Sequence, residues 1–470
     1  MRAFILILLG VTAAVAQAIA GDIYIRDVTL IDGNGGAARS HMTVVVSGQR
    51  IVKIAPAASI RVPAAAEVID ARGQYLIPGL IDTNVHLSVI AGVEELAKYE
   101  DRMTDVILEA AQLSLKHGIT TLRDSYGMLA PLRTVRDAIA NGEVVGSRLL
   151  VAGNIVGWGG PFSKTFADKV PSSYFEERIN DRFVEQAGEE LVDMGPEQLR
   201  AAIRAYLAKG PDFIKYGATS HINGWMLFSP RAQTILVEET HRRGLLIETH
   251  AGSTEAMREA VLAGVDLIQH PEVLPVPIPD ELVQLIGERK VICSLFPALD
   301  MRVPESPSEE LSQSPARAPT GWEQRQARAK KLMSHTWREN ARKLIASGCI
   351  VSVATDAYRH HSPEFDRAAE PDEEGLRPGS GTLLAIERLV DLGMSPAQAL
   401  VAATRNGALA CGALDKFGTI EVGKYADLLL LRNDPLASIR NIREQVLVMK
   451  QGQVIDRDRL PTRPIWSVTP

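Results

Sequence analysis

Histidine, lysine and aspartate residues stand at or near the ends of several short apolar segments in the middle of the chain. They are His86, Lys215, His250, His270 and Asp356. Imidazole and carboxylate groups hold zinc and similar transition metals, and they also transfer protons near neutral pH. One such histidine is most often an ordinary core or surface residue. Five residues in equivalent positions predict a shared site.

The apolar segments that carry these residues are rich in β-branched side chains and alternate with amphipathic stretches. The predicted strands are residues 76–87, 119–123, 149–152, 213–217, 245–250, 265–270, 291–295 and 349–356. Leu199, Ile203 and Leu207 recur at helical spacing in one intervening stretch. Eight strands, each followed by a helix, predict an α/β protein with a (β/α)₈ TIM barrel, whose strand ends share one mouth.

The alternative fold is a doubly wound open sheet. Such a sheet usually has a glycine-rich phosphate-binding turn after its first strand, and residues 82–86 do not provide one. Both ends of the chain carry short alternating segments that are typical of half-buried strands. We therefore predict a small β-sandwich domain from residues 21–78 and 412–470, around a barrel of residues 79–411. Polar stretches at 302–330 and 358–380 are predicted loops over the mouth.

The composition is that of a globular protein. The 470 residues are 46% hydrophobic and 23% charged, with a formal net charge of −6, which excludes global disorder and gives no basic footprint for nucleic acid. Three cysteines are too few for a disulfide framework. Cys293 and Cys349 lie in apolar runs, which favours buried thiols, and one disulfide remains the alternative.

Residues 1–20 have the pattern of a secretory signal. Arg2 precedes an apolar run, and small residues at Ala16, Ala18 and Ala20 supply an A-x-A cleavage pattern. We expect a secreted or periplasmic protein with no membrane span after cleavage, since no later segment reaches the ~20 apolar residues of a spanning helix. An uncleaved N-terminal anchor is the alternative.

Several motifs resemble those of the amidohydrolase superfamily. Residues 75–87 read YLIPGLIDTNVHL, similar to the family's opening P-G-[LF]-I-D-x-H-x-H, and residues 418–428 read GTIEVGKYADL, similar to its return into the small β-domain. Residues 118–124, 212–215 and 228–230 resemble the imidazolonepropionase-like and prolidase-like branch. The resemblance covers nearly all of residues 22–455.

The resemblance implies a metal-dependent hydrolase that cleaves an amide bond of a dipeptide or an N-acyl amino acid. His86 would hold the more buried of two zinc ions, a carboxylated Lys215 would bridge both, and His250 and His270 would hold the second. Asp356 would bind metal and act as the general base. The implied partner is a small-molecule amide, and we expect a homo-oligomer.

Asn84 stands where the family has its first histidine. Because side chains alternate along a strand, Asn84 and His86 should share a face, but an amide oxygen is a weaker zinc ligand than imidazole. One zinc, two zinc ions, another divalent cation and a catalytically silent binding homologue therefore remain open. Ester, lactone or phosphotriester cleavage is a further alternative on the same site.

Candidate substrate-binding residues follow the second, third and fourth strands. They are Tyr126, Trp158, Tyr216 and His221, which could line an aromatic pocket. Arg123 is expected to form an ion pair with Asp124 or Asp356 rather than to bind a substrate carboxylate.

Overall fold

The computed structural model describes residues 21–64, 66–90, 93–221, 223–297, 321–359 and 373–465. Its strands are β1 (Ile23–Leu30), β2 (Arg39–Ser47), β3 (Arg50–Pro56), β4 (Glu67–Asp70), β5 (Tyr75–Pro78), β6 (Leu80–Ile90), β7 (Ile119–Asp124), β8 (Arg148–Val151), β9 (Ile155–Val156), β10 (Ile214–Gly217), β11 (Ile247–His250), β12 (Leu267–Gln269), β13 (Ile292–Leu295), β14 (Ile350–Val353), β15 (Ala357–Arg359), β16 (Leu428–Leu431), β17 (Gln445–Lys450) and β18 (Gln453–Val454).

The helices alternate with the central strands. They are α1 (Val93–Tyr99), α2 (Met103–Lys116), α3 (Leu129–Ala140), α4 (Lys164–Ala167), α5 (Tyr174–Val184), α6 (Pro196–Ala208), α7 (Pro230–His241), α8 (Thr254–Ala263), α9 (Asp280–Glu288), α10 (Gly321–Ala346), α11 (Ser380–Asp391), α12 (Pro396–Ala403) and α13 (Arg405–Ala410). The predicted helical stretch is confirmed in α6, where Leu199, Ile203 and Leu207 are buried. In the part of the chain described here, no helix is long and apolar enough to cross a bilayer.

The two ends of the chain meet in one sheet. Its strand order is β18-β17-β16-β5-β1-β2-β3, with β4 beside β1. The buried face carries a separate apolar core that includes Ile25, Val44, Leu76 and Leu428. The prediction that both ends build one small β-unit agrees with this sheet, whereas a second stacked sheet of a sandwich is not confirmed.

The central strands are parallel and form two arcs, compatible with a TIM-barrel-type fold. One arc runs β14-β13-β12-β11-β10-β9 and the other runs β15-β6-β7-β8. The arcs meet at two interrupted strands, between β8 and β9 and between β14 and β15. Gly153 lies in the first interruption at φ 79° and Asp356 in the second at φ 53°. A left-handed residue breaks strand pairing, so no continuous ladder closes the barrel.

The first predicted central strand is divided at Gly79. Residues before it join the terminal sheet as β5, and residues after it enter the barrel as β6. The backbone N–H of Gly79 donates to the Asp427 carbonyl at 2.8 Å, which ties the two units together. A Cβ at this position would lie 2.3 Å from Thr120 Oγ1, so only glycine permits this close approach.

The structure corrects two further predictions. Residues 321–330 belong to the helix α10 rather than to a loop, while 302–320 and 360–372 lie outside the described residues. Cys293 and Cys349 form a disulfide with Cα atoms 6.3 Å apart, so the favoured interpretation as free thiols is wrong. Cys293 lies on β13 and Cys349 directly precedes β14, and neighbouring parallel strands bring the two side chains together.

Candidate active site

The carboxyl ends of the central strands bring the predicted polar residues to one mouth. His250 ends β11, His270 follows β12, and Lys215 is the second residue of β10. His270 and Asp356 have φ values of 37° and 53°. Non-glycine residues rarely adopt this conformation, and such strain is concentrated at functional sites.

Asp356 joins the first strand of the barrel to the last. Its Oδ1 accepts a hydrogen bond from Asn84 Nδ2 at 2.6 Å and contacts His86 Nε2 at 2.9 Å. The predicted common face of Asn84 and His86 agrees with this geometry, because both side chains reach one oxygen. Burial raises the pKa of Asp356, but the hydrogen bond from His86 and the charges of His86, His270 and Lys215 hold it well below its usual range. Asp356 is therefore an ionised carboxylate.

His250 and His270 form a second pair at the mouth. His250 Nδ1 lies 3.4 Å from His270 Nε2, and the two rings pack edge to face with centroids 4.9 Å apart. Burial lowers the pKa of His270 to about 4 and that of His250 well below its usual range. Both imidazoles are consequently neutral near pH 7, the state in which a ring nitrogen can bind a metal.

Lys215 is buried, with 2% of its surface exposed. Burial lowers its pKa to about 8, with the charge of Asp356 opposing the shift and that of Arg123 adding to it. The unprotonated amine is therefore more populated near neutral pH than in an ordinary lysine, although it remains the minor form.

A polar layer lies beneath the mouth. Arg123 forms a fully buried ion pair with Glu248 and stacks on Phe213, its guanidinium carbon 3.4 Å from the ring centroid. Gln269 donates to the same Glu248 carboxylate at 2.9 Å. The predicted pairing of Arg123 with Asp124 or Asp356 is therefore wrong. Glu248 could have been found from the sequence, since it lies two residues before His250 and shares its face.

Aromatic rings border the two histidine positions. Trp158 packs against His250 and Tyr126 against His86, at centroid distances of 5.0 and 5.8 Å. Phe166, which no sequence pattern indicates, contacts both Tyr126 and Trp158 and stacks on His221 at a centroid distance of 4.8 Å. Tyr126, Trp158, Phe166 and His221 are named the aromatic wall below.

Tyr216 is not part of the aromatic wall. Its hydroxyl donates to Gln233 Oε1 of α7 at 2.9 Å, and its ring packs on Phe228. Tyr216 follows Lys215 directly, so the alternation of side chains turns it from the barrel interior toward the helices. Its predicted role in substrate binding does not agree with this placement.

The donor set suits a divalent cation. His86 Nδ1, His250 Nε2 and Asn84 Oδ1 are buried and have no hydrogen-bond partner among the described residues. Buried polar atoms in this state need a partner, which a ligand or ion could supply. The same residues do not form a ready cage, since no three His, Cys, Asp or Glu side chains of the described chain are grouped closely enough to hold a metal.

The amidohydrolase family pattern matches residues 75–455. The chain belongs to the amidohydrolase family. It lies in the imidazolonepropionase-like and prolidase-like branch, and it is a hydrolase that acts on C–N bonds other than ordinary peptide bonds. Amidohydrolases are generally metal-dependent.

Similar proteins span most of this amidohydrolase. Imidazolonepropionase of Brevibacillus brevis is 26% identical over 432 residues, covering 83% of each chain. The solved structure of molinate hydrolase is 30% identical at a TM-score of 0.85 and covers 96% of this chain and 98% of its own. The solved structure of phenylurea hydrolase B is 32% identical at a TM-score of 0.85, and it covers 96% of this chain and 100% of its own. A Xaa-Pro dipeptidase at 22% identity and a TM-score of 0.73 shares the fold.

Proposed function

We propose that this amidohydrolase uses a divalent cation to cleave the amide bond of a dipeptide or an N-acyl amino acid. The observation that carries the proposal is the meeting of His86, Asn84 and Asp356 at one carboxylate oxygen. Two neutral histidines and a buried lysine lie at the same mouth. Molinate hydrolase and phenylurea hydrolase B are by name hydrolases of small molecules, which supports a small-molecule substrate.

His250 and His270 would hold one cation through neutral ring nitrogens, together with Lys215. His86, Asp356 and the same Lys215 would serve a second position. Zinc, the cation that these ligand types favour, lowers the pKa of a water and polarises a carbonyl group when bound. Asp356 would take a proton from the attacking water and deliver it to the leaving amine. The low pKa of Asp356 keeps the group ionised, so a carboxylate oxygen is available as the proton acceptor.

Lys215 would act in carboxylated form. A protonated amine has no lone pair for a metal, whereas a carbamate offers two oxygens. The lowered pKa of Lys215, about 8, supports this step because only the unprotonated amine can add carbon dioxide. Carboxylation would also place a negative charge on Lys215 in the barrel interior, where Arg123 lies close enough to influence its titration.

Asn84 bears on the number of cations. Its amide nitrogen donates to Asp356, and an amide oxygen is a weaker zinc ligand than imidazole. We therefore propose one tightly held cation per chain, in the position served by Lys215, His250 and His270, with a second bound weakly if at all. Three protein ligands plus water is the usual arrangement of a catalytic zinc.

A substrate panel tests the proposal. Full-length protein with a measured metal content is assayed against dipeptides, N-acyl amino acids, and matched esters, lactones and phosphotriesters. Amide hydrolysis that disappears in Asp356→Asn is the expected result. Turnover confined to the esters, lactones or phosphotriesters would assign a different reaction to the site, and no turnover at all would favour a silent binding homologue.

We also propose that the protein is exported. The charge, apolar run and A-x-A pattern of residues 1–20 support cleavage, and the Cys293–Cys349 disulfide suits an oxidising compartment. The expected mature N-terminus lies between Ile19 and Asp22. Intact-mass analysis of protein recovered from the periplasm or medium checks this, and retention of Met1 would contradict it.

A further inference from the structure

Tyr126 has a buried hydroxyl group without a partner. The residue is 1% exposed, and its hydroxyl makes no hydrogen bond within the described residues. Its ring lies among Phe166, Phe183 and Trp158, with centroids 5.2 to 6.3 Å away. A buried hydroxyl without a partner loses the hydrogen bonds of water and gains none in return. Such a group needs an explanation, and at the mouth of the barrel a bound ligand can supply the missing partner.

Two other buried tyrosines, Tyr206 and Tyr216, have hydrogen-bond partners for their hydroxyl groups. Tyr206 is also 1% exposed, but its hydroxyl donates to the Ala152 carbonyl and accepts from the Asn154 N–H, both at 2.8 Å. Tyr216 has its partner in Gln233. The unpaired hydroxyl therefore belongs to the tyrosine that contacts His86 at the mouth.

The aromatic wall and Asp356 lie on different sides of the mouth. Asp356 lies between β14 and β15, at the opposite end of the six-stranded arc from β9 and β10, which Trp158 and His221 follow. Two contacts with Phe166 hold His221 in place. His221 Nδ1 lies 3.1 Å from the Phe166 carbonyl oxygen, and the two rings are stacked. A carbonyl only accepts, so Nδ1 carries the proton. In the proposed reaction Asp356 faces the leaving amine, and the wall faces the acyl group.

We infer that the aromatic wall binds a flat, apolar ring on the acyl side of the substrate, and that the Tyr126 hydroxyl donates a hydrogen bond to the acyl carbonyl oxygen. This assignment rests on the proposed function and narrows it to N-aroyl or similar ring-bearing acyl compounds. Aromatic side chains offer a ring both broad apolar contact and favourable edge-to-face packing.

Product acids give a binding test that needs no turnover. Benzoate, cyclohexanecarboxylate and acetate are titrated calorimetrically into the full-length protein as purified. We expect both ring acids to bind at least about tenfold more tightly than acetate, equivalent to ~1.4 kcal/mol. Phe166→Ala should remove most of this preference, whereas Phe175→Ala, a half-buried phenylalanine on α5, should leave it unchanged. Equal affinity for benzoate and acetate would overturn the inference.

Two tyrosine variants separate recognition from folding. Tyr126→Phe removes an unpaired hydroxyl, so the melting temperature should stay the same or rise while benzoate affinity falls about tenfold. Tyr206→Phe removes two hydrogen bonds, so it should lower the melting temperature and leave benzoate affinity unchanged. A Tyr126→Phe variant with wild-type benzoate affinity, or with a clear loss of thermal stability, would contradict the role assigned to the hydroxyl.

Turnover distinguishes this inference from the proposed function. N-benzoylglycine should be cleaved with a higher kcat/KM than N-acetylglycine, and Tyr126→Phe should lower both values. If neither amide is cleaved but the ring acids still bind selectively, amide hydrolysis is wrong and the ring site stands. If both amides are cleaved equally well and benzoate binds no better than acetate, the hydrolysis stands and the ring site is wrong.

Discussion

The amide nitrogen of Asn84 lies 2.6 Å from Oδ1 of Asp356, the same oxygen that lies 2.9 Å from His86 Nε2. A carboxylate can only accept hydrogen bonds, so the Asn84 amide must present its NH₂ group to this oxygen. Its carbonyl Oδ1 is then left buried without a partner in the described residues. Asn84 thus orients the proposed general base, in a place where the family's histidine would hold metal.

Replacement of Asp356 by asparagine should abolish most activity without unfolding the protein. The amide keeps the size of the side chain but cannot accept the proton from water. The expected loss in kcat is about two orders of magnitude or more, the usual size of a general-base contribution. Steady-state kinetics and circular dichroism check this, and near-normal kcat would remove Asp356 from the mechanism.

Asn84→Ala should affect kcat through Asp356. The Asp356 carboxylate loses one of its two polar contacts from β6, so its position becomes less defined. We expect a smaller loss in kcat than in Asp356→Asn, with KM and the content of tightly bound metal unchanged. Metal analysis beside the kinetics decides the point, since a fall in tightly bound metal would make Asn84 a ligand rather than a positioning residue.

Lys215→Ala should lower metal affinity because the carbamate is lost. Short carboxylic acids such as formate or acetate should restore part of the activity by supplying carboxylate oxygens in the vacated space. Lys450→Ala is a matched control, since Lys450 is also buried, with a pKa lowered to about 8, but lies in the terminal sheet. If the added carboxylic acids restore neither metal binding nor turnover in Lys215→Ala, this result would argue against a carboxylated lysine.

Acid stability should depend on Glu239. Its carboxylate is 2% exposed and accepts hydrogen bonds from Arg204 and Arg200 at 2.7 Å and from Arg242. These guanidinium groups lower its pKa to about 2, against the opposing effect of burial. A depressed pKa in the folded state gives stability that is present above the unfolded-state value of 4.5 and lost as the pH falls toward 2.

Glu239→Gln should therefore have a lower melting temperature than the wild type at pH 7. Between pH 4.5 and 2 its melting temperature should decline less steeply than that of the wild type. Glu238→Gln is the control, because Glu238 also bonds Arg200 but is 43% exposed, and exposed ion pairs contribute little. Parallel declines for wild type and Glu239→Gln would show that Glu239 does not govern acid stability.

Many residues at the mouth of the barrel could be predicted from the sequence, because they stand at the ends of apolar segments rich in β-branched side chains. His250 and His270 needed only that pattern and the rule that parallel strands share an end. Partners across the barrel cannot be predicted in this way. The sequence therefore suggests nearby aspartates as partners of Arg123, whereas its partner in the structure is Glu248 on β11. The Cys293–Cys349 pairing likewise depends on strand adjacency, which spacing along the chain does not reveal.

Two other differences have local causes. The helix α10 is rich in charged and polar residues, so composition suggested a loop where helical propensity prevailed. The position of Tyr216 at the end of the fourth predicted strand suggests a place at the site, but adjacent residues of a strand face opposite ways, and Tyr216 lies next to Lys215. Phe166 was missed because it lies on a four-residue helix beyond the third barrel strand, without any periodic signal.

The metal content of the purified full-length protein tests the central claim most directly. Elemental analysis after mild chelation should find one zinc or other divalent cation per chain in the wild type, and Asn84→His should raise this number toward two. Stronger chelation should abolish amide hydrolysis, and the added cation should restore it. Two cations that resist mild chelation in the wild type would contradict the proposed single site, and full activity of metal-free protein would contradict metal-dependent hydrolysis itself.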